Sequence, residues 1–575
     1  MKLFFQRLLK NETFFAILLI SLTTIVTHGL FLSKLGYYYD DWYVLWSGAA
    51  RGAASLISLF STDRPFMGVV YSVLYQLMGD SRMAWQLYAL LWRLLGGLAF
   101  FWILRLVWPK QKLITTVMAV LFIIYPGFLS QPDANTKQNH LYGFGTALLS
   151  IAFMLQSLKT NHKLQKLAYM LFSVLLTANY LWIYEYMLGL EAMRLVLLGL
   201  TLFQSGFSQL RSLVKETLKK WWPYPIVIAV FLYWRIFIFD STRSATNADN
   251  LVLNYRSDLL NNLLRVFFQT LKDFFTTTVF AWYQQGYQLA YRASYTDLVF
   301  GFLVGALAVA LLIGYLALYK KYWEPDSDAD DSHLITIFLA LGVFITLCAV
   351  FPVVLSGRAI DLGDTYKSYA LHPLPGVILI LAGFILMLKP DFRKVVLIVV
   401  IWMAVSTHTL NILSWARNWQ AEQQTWWQLS WRAPDIKNNT LVAAYMQDEF
   451  AFQQDYETWG PINLIYRPGQ AKFPLIQSEV LNTDTSHDIL AGTVRDRYVR
   501  DIWLHRDFTK LLLISVPTST SCAHVIDGTL PVYSESERLL VKEVGRYSRI
   551  GRIIPDGTAP PPPPPLFWKK TPPRK

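Results

Sequence analysis

Runs of apolar residues long enough to cross a bilayer recur along this 575-residue chain, and that recurrence constrains the fold more than any other feature. A membrane helix needs about 20 predominantly apolar residues. Eleven segments approach that length: 14–32, 84–108, 113–130, 141–158, 167–183, 187–205, 223–239, 298–319, 334–355, 371–388 and 395–413. The composition agrees, with 54% hydrophobic and 16% charged residues and a mean hydropathy of +0.32. The expected fold is a polytopic α-helical membrane protein with about eleven transmembrane helices. The net charge of +13 is explained by basic loops on one membrane face, and no nucleic-acid motif accompanies it. Cys348 and Cys522 are the only cysteines, so no disulfide framework is expected. The first apolar run lacks a small-residue cleavage site and reads as a retained helix.

Lys and Arg in the short connections set the orientation. With the N-terminus inside, the inner segments hold 17 basic residues in 62 positions and the short outer ones 7 in 79. An odd helix number then places the C-terminal region outside. Residues 240–297 do not fit a span. Leu259, Leu260, Leu263, Leu264, Phe267, Phe268, Leu271, Phe274 and Phe275 repeat in helical register, and Lys272 and Asp273 interrupt them, which predicts an amphipathic helix on the outer surface. The tryptophans of "WARNWQAEQQTWWQLSWRAPD" suit an interface belt. Residues 434–555 change character. The runs "TLVAAY", "INLIY" and "KLLLISV" are strand-like, and a small α/β domain is expected there. The proline-rich tail 556–575 is expected to be extended and without a fold.

The first outer loop, 33–83, carries the most chemical information. It opens with "YYYDDWYVLW", two aspartates inside an aromatic cluster where a membrane helix ends. Asp40 or Asp41 can cap a helix lying along the interface. In "STDRPF", Ser61, Thr62 or Asp63 can cap a second helix with Pro65 in its first turn. A carboxylate in a partly desolvated, aromatic-lined pocket can also take a proton from an attacking hydroxyl. Two adjacent carboxylates, Asp40 and Asp41, could hold a divalent cation, Mg or Mn, although no cofactor is required by the pattern. The faces of Tyr39 and Trp42 suit sugar rings. Other polar groups fall at outer helix ends: Asp133 and His140 in "SQPDANTKQNH", Glu185 in "YEY", and Arg358, Lys367, Tyr369 and His372 in "SGRAIDLGDTYKSYALHP". Arg93 falls inside the second span and is expected to face the bundle and find a partner there. No Walker loop, zinc spacing, nucleophile elbow or haem motif competes, and the sequon at 438–440 carries little weight.

In its first-loop "YYYDDW" and in "TDRP", and in the architecture of residues 1–420, the chain resembles the GT-C class of membrane glycosyltransferases, such as protein O-mannosyltransferases and lipid A aminoarabinose transferases. The resemblance implies a multi-pass protein of the plasma membrane. It implies a sugar donor carried on polyprenyl phosphate and a glycan, lipid or protein hydroxyl as acceptor, with inversion at the anomeric carbon. On that reading Asp40 or Asp41 is the base. Arg358, Lys367 and Arg64 hold the donor phosphate, and Tyr39, Trp42, Glu185, Asp133, Tyr369 and His372 contact substrate. A lipid-linked oligosaccharide ligase or polymerase, a polyprenyl-lipid flippase and a non-catalytic assembly protein are the alternatives. Polar groups gathered at helix ends, with no internal repeat, favour surface chemistry over passage.

Overall fold

The computed structural model describes residues 10–243, 248–323, 331–363, 365–446, 452, 454–469, 472–517, 521–529 and 539–553. The proline-rich tail and the side chain of Lys367 lie outside the described residues. The chain divides into two compact units, Met1–Ser33 with Gln86–Ser414, and Lys34–Trp85 with Trp415–Lys575. The loop after the first membrane helix therefore groups with the C-terminal region, and only the first unit consists mainly of membrane-length helices.

Among the described residues, eight helices are long and apolar enough to cross a membrane: Glu12–Lys34, Arg82–Val107, Ala134–Lys159, Lys163–Ile183, Glu185–Gln204, Tyr295–Tyr322, Ser332–Leu355 and Pro390–Arg432. A ninth span arises if Leu210–Trp221 and Pro223–Ile238, bent by 53°, count together. The membrane-protein fold is as expected, and the number of eleven is not confirmed. The segments expected at 113–130 and 371–388 fold as the shorter helices Lys112–Ile123 and Leu374–Met387. Twelve residues of helix reach about 18 Å, against a hydrocarbon core of about 30 Å.

The first of these short helices stops at Ile124, before Pro126 and Gly127. Backbone carbonyls freed in an apolar surround need donors from the protein. Side chains supply them. Arg93 Nη2 and Nε donate to the Ile123 carbonyl at 2.8 and 3.3 Å, and His28 Nε2 meets the same oxygen at 3.1 Å. His408 Nε2 reaches the carbonyls of Ile124 and Tyr125, at 3.1 and 3.2 Å. Because carbonyls only accept, both imidazoles carry their proton on Nε2. Asn411 and Gln86 then serve Leu129 and Pro132. The partner expected for Arg93 is thus a broken helix end. A second buried polar group joins helices by side-chain hydrogen bonds. Arg194 is ion-paired with Glu191 at 2.9 Å and donates to Ser150, Ser173 and Thr177.

The amphipathic segment at 259–275 is helical over Leu259–Thr278, and it is inside out for a soluble helix. Leu260, Leu263, Phe267, Phe268 and Phe275 are exposed, while Val266, Asp273 and Thr277 are buried. Asp273 does not interrupt the apolar stripe; it points to the protein side and accepts the Ile360 N–H at 3.0 Å and Gln269 Nε2 at 2.6 Å. Burial pushes its carboxyl up to about 6 against those bonds.

In the second unit, the first-loop residues form three helices: α1 Asp41–Arg51, α2 Ser55–Ser61 and α3 Pro65–Met78. Pro65 opens α3 as expected, but Arg64 occupies its N-cap and Ser61 ends α2. The C-terminal residues build a four-stranded sheet of order β2-β1-β5-β6 from β1 Leu441–Met446, β2 Gln477–Val480, β5 Leu511–Val516 and β6 His524–Ile526. β1 runs parallel to β2 and β5, and β6 is antiparallel. A hairpin of β3 Val494–Val499 and β4 Ile502–Asp507 is separate from that sheet. Two of the three expected strands are observed. The third, "INLIY", is the end of helix α4 Tyr456–Tyr466. Its residues are buried on every side, and a short run that is apolar throughout looks alike as helix or strand. Helix α5, Thr483–Ala491, packs its Ile489 into the core against β1 and β5.

Candidate functional site

The "YYYDDWYVLW" aromatics are packing residues. Tyr37, Tyr38, Trp42, Tyr43 and Trp46 are all nearly fully buried. Trp42 stacks on Trp419 with centroids 6.1 Å apart, and Trp46 meets Trp459 edge-on at 5.4 Å. Tyr38 donates its hydroxyl to the Trp415 carbonyl at 2.8 Å. A Cβ at Gly36 would stand 1.8 Å from the Trp419 ring, so this approach needs glycine. Trp42 is therefore held within the protein rather than laid open to solvent.

This packing presents the two aspartates differently. Asp41 has no exposure, and its Oδ2 accepts the Tyr38 N–H at 3.2 Å while its own N–H donates to the Tyr38 carbonyl at 2.9 Å. It closes the turn into α1. Tyr39, between them, adopts φ +43°, a left-handed conformation costly for a bulky residue. Its N–H is 3.4 Å from Glu457 Oε1. Asp40 sits at the N-cap but makes no capping bond. It is partly exposed, and Tyr456 donates its hydroxyl to Oδ1 at 2.5 Å. Burial and the Asp40 charge push the Tyr456 phenol far above its usual range, so it remains a donor.

Asp63, a candidate cap in the sequence, is instead buried against Arg500. Arg500 Nη1 lies 2.5 Å from Asp63 Oδ1, and Arg64 Nη1 lies 3.4 Å from Oδ2. Arg500 also donates through Nε to the Tyr43 hydroxyl at 3.3 Å and covers the rings of Tyr43 and Phe60 at 5.5 and 4.5 Å. Burial acts to discharge it, but Tyr43, Asp63 and Asp40 hold it firmly cationic. Arg500 stands at the tip of the β3–β4 hairpin with φ +58°, and the next residue, Asp501, is clamped by Arg51 at 2.5 Å and Ser58 at 2.7 Å. Both tip residues therefore grip the first-loop helices.

The remaining expected residues lie in the first unit. His140, Tyr184, Tyr186, Tyr369 and His372 form one ring cluster. Tyr186 lies 4.6 Å from His372 and 4.9 Å from Tyr369, and Tyr184 stacks on His140 at 4.3 Å. Arg358 covers the Tyr369 ring at 5.8 Å. His372 is fully buried, with Nδ1 on the Tyr369 carbonyl at 3.2 Å. Glu185 opens the short helix Glu185–Gly189 within this neighbourhood, and Asp133, buried, stands at the N-cap of the Ala134–Lys159 helix. Among the described residues, no three His, Cys, Asp or Glu side chains come together as a metal site.

The side chains missed by sequence reasoning are Tyr456, Glu457 and Arg500. More than 400 residues separate them from Asp40, and the only local signal is the charge density of "RDRYVRD". Chemically, a partly exposed carboxylate with one oxygen fixed by a hydroxyl donor turns its other oxygen to an outside group.

No family model and no curated protein matches the chain. Two solved structures of ArnT are similar to the chain. The crystal structure of ArnT from Cupriavidus metallidurans in the apo state is 13% identical, with 88% of this chain and 93% of that chain covered and a TM-score of 0.34. The same protein bound to undecaprenyl phosphate is 13% identical over 87% and 93%, with a TM-score of 0.31. No residue and no activity is carried across at these values.

Proposed function

We propose that this multi-pass membrane protein is a glycosyltransferase that moves a sugar from a polyprenyl-phosphate-linked donor to a hydroxyl acceptor at the outer face of the plasma membrane, the side on which its C-terminal region lies. The observation that carries the reading is Asp40. It heads a helix in the first long loop after the first membrane helix, it is the accessible member of the pair, and Tyr456 fixes one of its oxygens. In the reaction the acceptor oxygen attacks the anomeric carbon and its proton passes to Asp40. The bond from that carbon to the phosphate oxygen breaks, and the electron pair leaves with polyprenyl phosphate. Direct displacement inverts the anomeric centre. Arg358, with Arg64 or Lys367, holds the leaving phosphate. Tyr369 contacts the sugar, and His372, fully buried on the Tyr369 carbonyl, orients it. That ArnT was crystallised with undecaprenyl phosphate is in keeping with a lipid phosphate as the product.

The test is release of polyprenyl phosphate from a panel of lipid-linked sugars by purified protein, with membrane extract as acceptor. Turnover lost in Asp40→Asn, with folding intact, supports the reading. Turnover unchanged in Asp40→Asn removes Asp40 from the chemistry, and no turnover with any donor shifts the weight to the flippase or assembly alternatives.

A further inference from the structure

The Tyr456 hydroxyl reaches Asp40 from the first residue of α4, and the residue before it is gripped unusually hard. Asp455 is the N-cap of α4 and is buried. Its two carboxylate oxygens are divided. Oδ1 accepts the backbone N–H of Tyr456 itself, at 3.0 Å. Oδ2 accepts Arg497 Nη1 at 3.2 Å and, more closely, Arg506 Nη2. Arg506 is also buried, and its Nη1 pairs with Glu479 at the other end of the guanidinium. These groups come from four elements: Asp455 from α4, Arg497 from β3, Arg506 from β4 and Glu479 from β2.

Such a cluster is more than a helix needs. A cap is satisfied by a single oxygen on an exposed backbone N–H, and serine or asparagine would do. Buried ion pairs add little net stability, since desolvating the charges offsets most of their attraction. What a planar guanidinium bridging two carboxylates does add is direction, because its donors are fixed in one plane. Here that direction is passed through Asp455 to the main chain of Tyr456, and through the Tyr456 ring to Asp40 Oδ1.

We propose that Asp455, held by Arg506 and Arg497, is a positioning residue that sets the Tyr456 hydroxyl on Asp40, with Glu479 fixing the other end of Arg506. The proposal rests on the reading of Asp40 as the base. Its effect is on the orientation of one hydrogen bond. The base keeps its identity when the clamp is removed but loses its fixed oxygen.

The experiment uses full-length protein in lipid nanodiscs with 3-fluorotyrosine at position 456, followed by fluorine NMR, alongside steady-state turnover. Asp40→Asn gives the resonance position of a phenol without a carboxylate partner. Asp455→Asn, which can still cap α4, is expected to move the resonance toward that position and to lower kcat about tenfold with KM within about twofold, a fraction of the 10²–10⁴ that general-base catalysis supplies. Arg506→Met is expected to do the same, and Arg506→Lys to recover part of both. A resonance in Asp455→Asn and Arg506→Met that coincides with wild type overturns the proposal, whatever the activity. Full turnover in Asp40→Asn instead removes the reading of Asp40 as base, and the fluorine comparison still decides whether the clamp positions Tyr456. Should Asp455→Asn fail to fold, Arg506→Met carries the same comparison, since it leaves the cap in place.

Discussion

Replacing Arg500 should loosen the hairpin from the first-loop helices by an amount that the geometry sets. The Asp63 side chain has no exposure and that of Arg500 has 13%, with 2.5 Å between Nη1 and Oδ1. Deleting one member of a buried pair costs about 3–5 kcal/mol, because the survivor keeps its desolvated charge. Arg64, 3.4 Å from the other Asp63 oxygen, moves the cost toward the lower end. The lost contacts with Tyr43 and Phe60, worth about 0.5–1 kcal/mol each, move it back. Arg500→Ala should therefore cost about 4 kcal/mol. Arg500→Gly loses the same contacts but relieves the left-handed backbone at φ +58°, so it should cost about 1 kcal/mol less than alanine. The assay is denaturant-dependent hydrogen exchange read on peptides covering α1 and the β3–β4 hairpin, which isolates opening of this unit from the membrane helices. A cost below about 1 kcal/mol for alanine would refute the assignment of the ion pair as the latch. A glycine variant no more stable than the alanine one would refute the argument from backbone strain.

Four further outcomes are expected. Asp41→Asn should lower stability by about 1–2 kcal/mol through its bond to the Tyr38 N–H and leave turnover within a few-fold, the reverse of Asp40→Asn; thermal unfolding with the lipid-phosphate release assay separates the two. Burial pushes the Glu479 carboxyl up to about 7 against the pull of Arg506, so the unfolded chain ionises first and stability should fall from pH 4.5 to 7 and then level, by at most about 3 kcal/mol. That slope should become shallower in Glu479→Gln and keep the part that Asp273 contributes below about pH 6, as melting temperature against pH would report. Arg194→Ala strands Glu191 among membrane helices and should cost about 3–5 kcal/mol in SDS-driven unfolding, whereas Arg194→Ala with Glu191→Ala should recover part of it. EDTA should leave turnover unchanged, since Asp40 is the only accessible carboxylate of the pair; loss restored by Mg or Mn would place a cation there.

The membrane character of this chain was written in the sequence, because a span is a local property: length and apolarity of one segment are enough to set it. Strands β1 and β5 were legible for the same reason, as apolar runs with β-branched residues, and Pro65 marked the first turn of α3. The acidic pair could be found but not divided. Which aspartate turns inward depends on Tyr38 and Tyr456, and Tyr456 is 416 residues from Asp40.

Where prediction from sequence failed, a distant partner decided. The helix at Lys112–Ile123 ends before Pro126 and Gly127, and its freed carbonyls are tolerated because Arg93, His28 and His408, which nothing in 113–130 announces, donate to them. "INLIY" became a helix because it is enclosed on all sides, where strand and helix patterns coincide. Asp63 became an ion-pair partner because a hairpin tip 437 residues later brings Arg500 to it. The sequence by itself determined which segments are apolar and where charge sits along the chain. Only the tertiary structure decided which charges meet, because a carboxylate's orientation and exposure come from neighbours that chain order does not make adjacent.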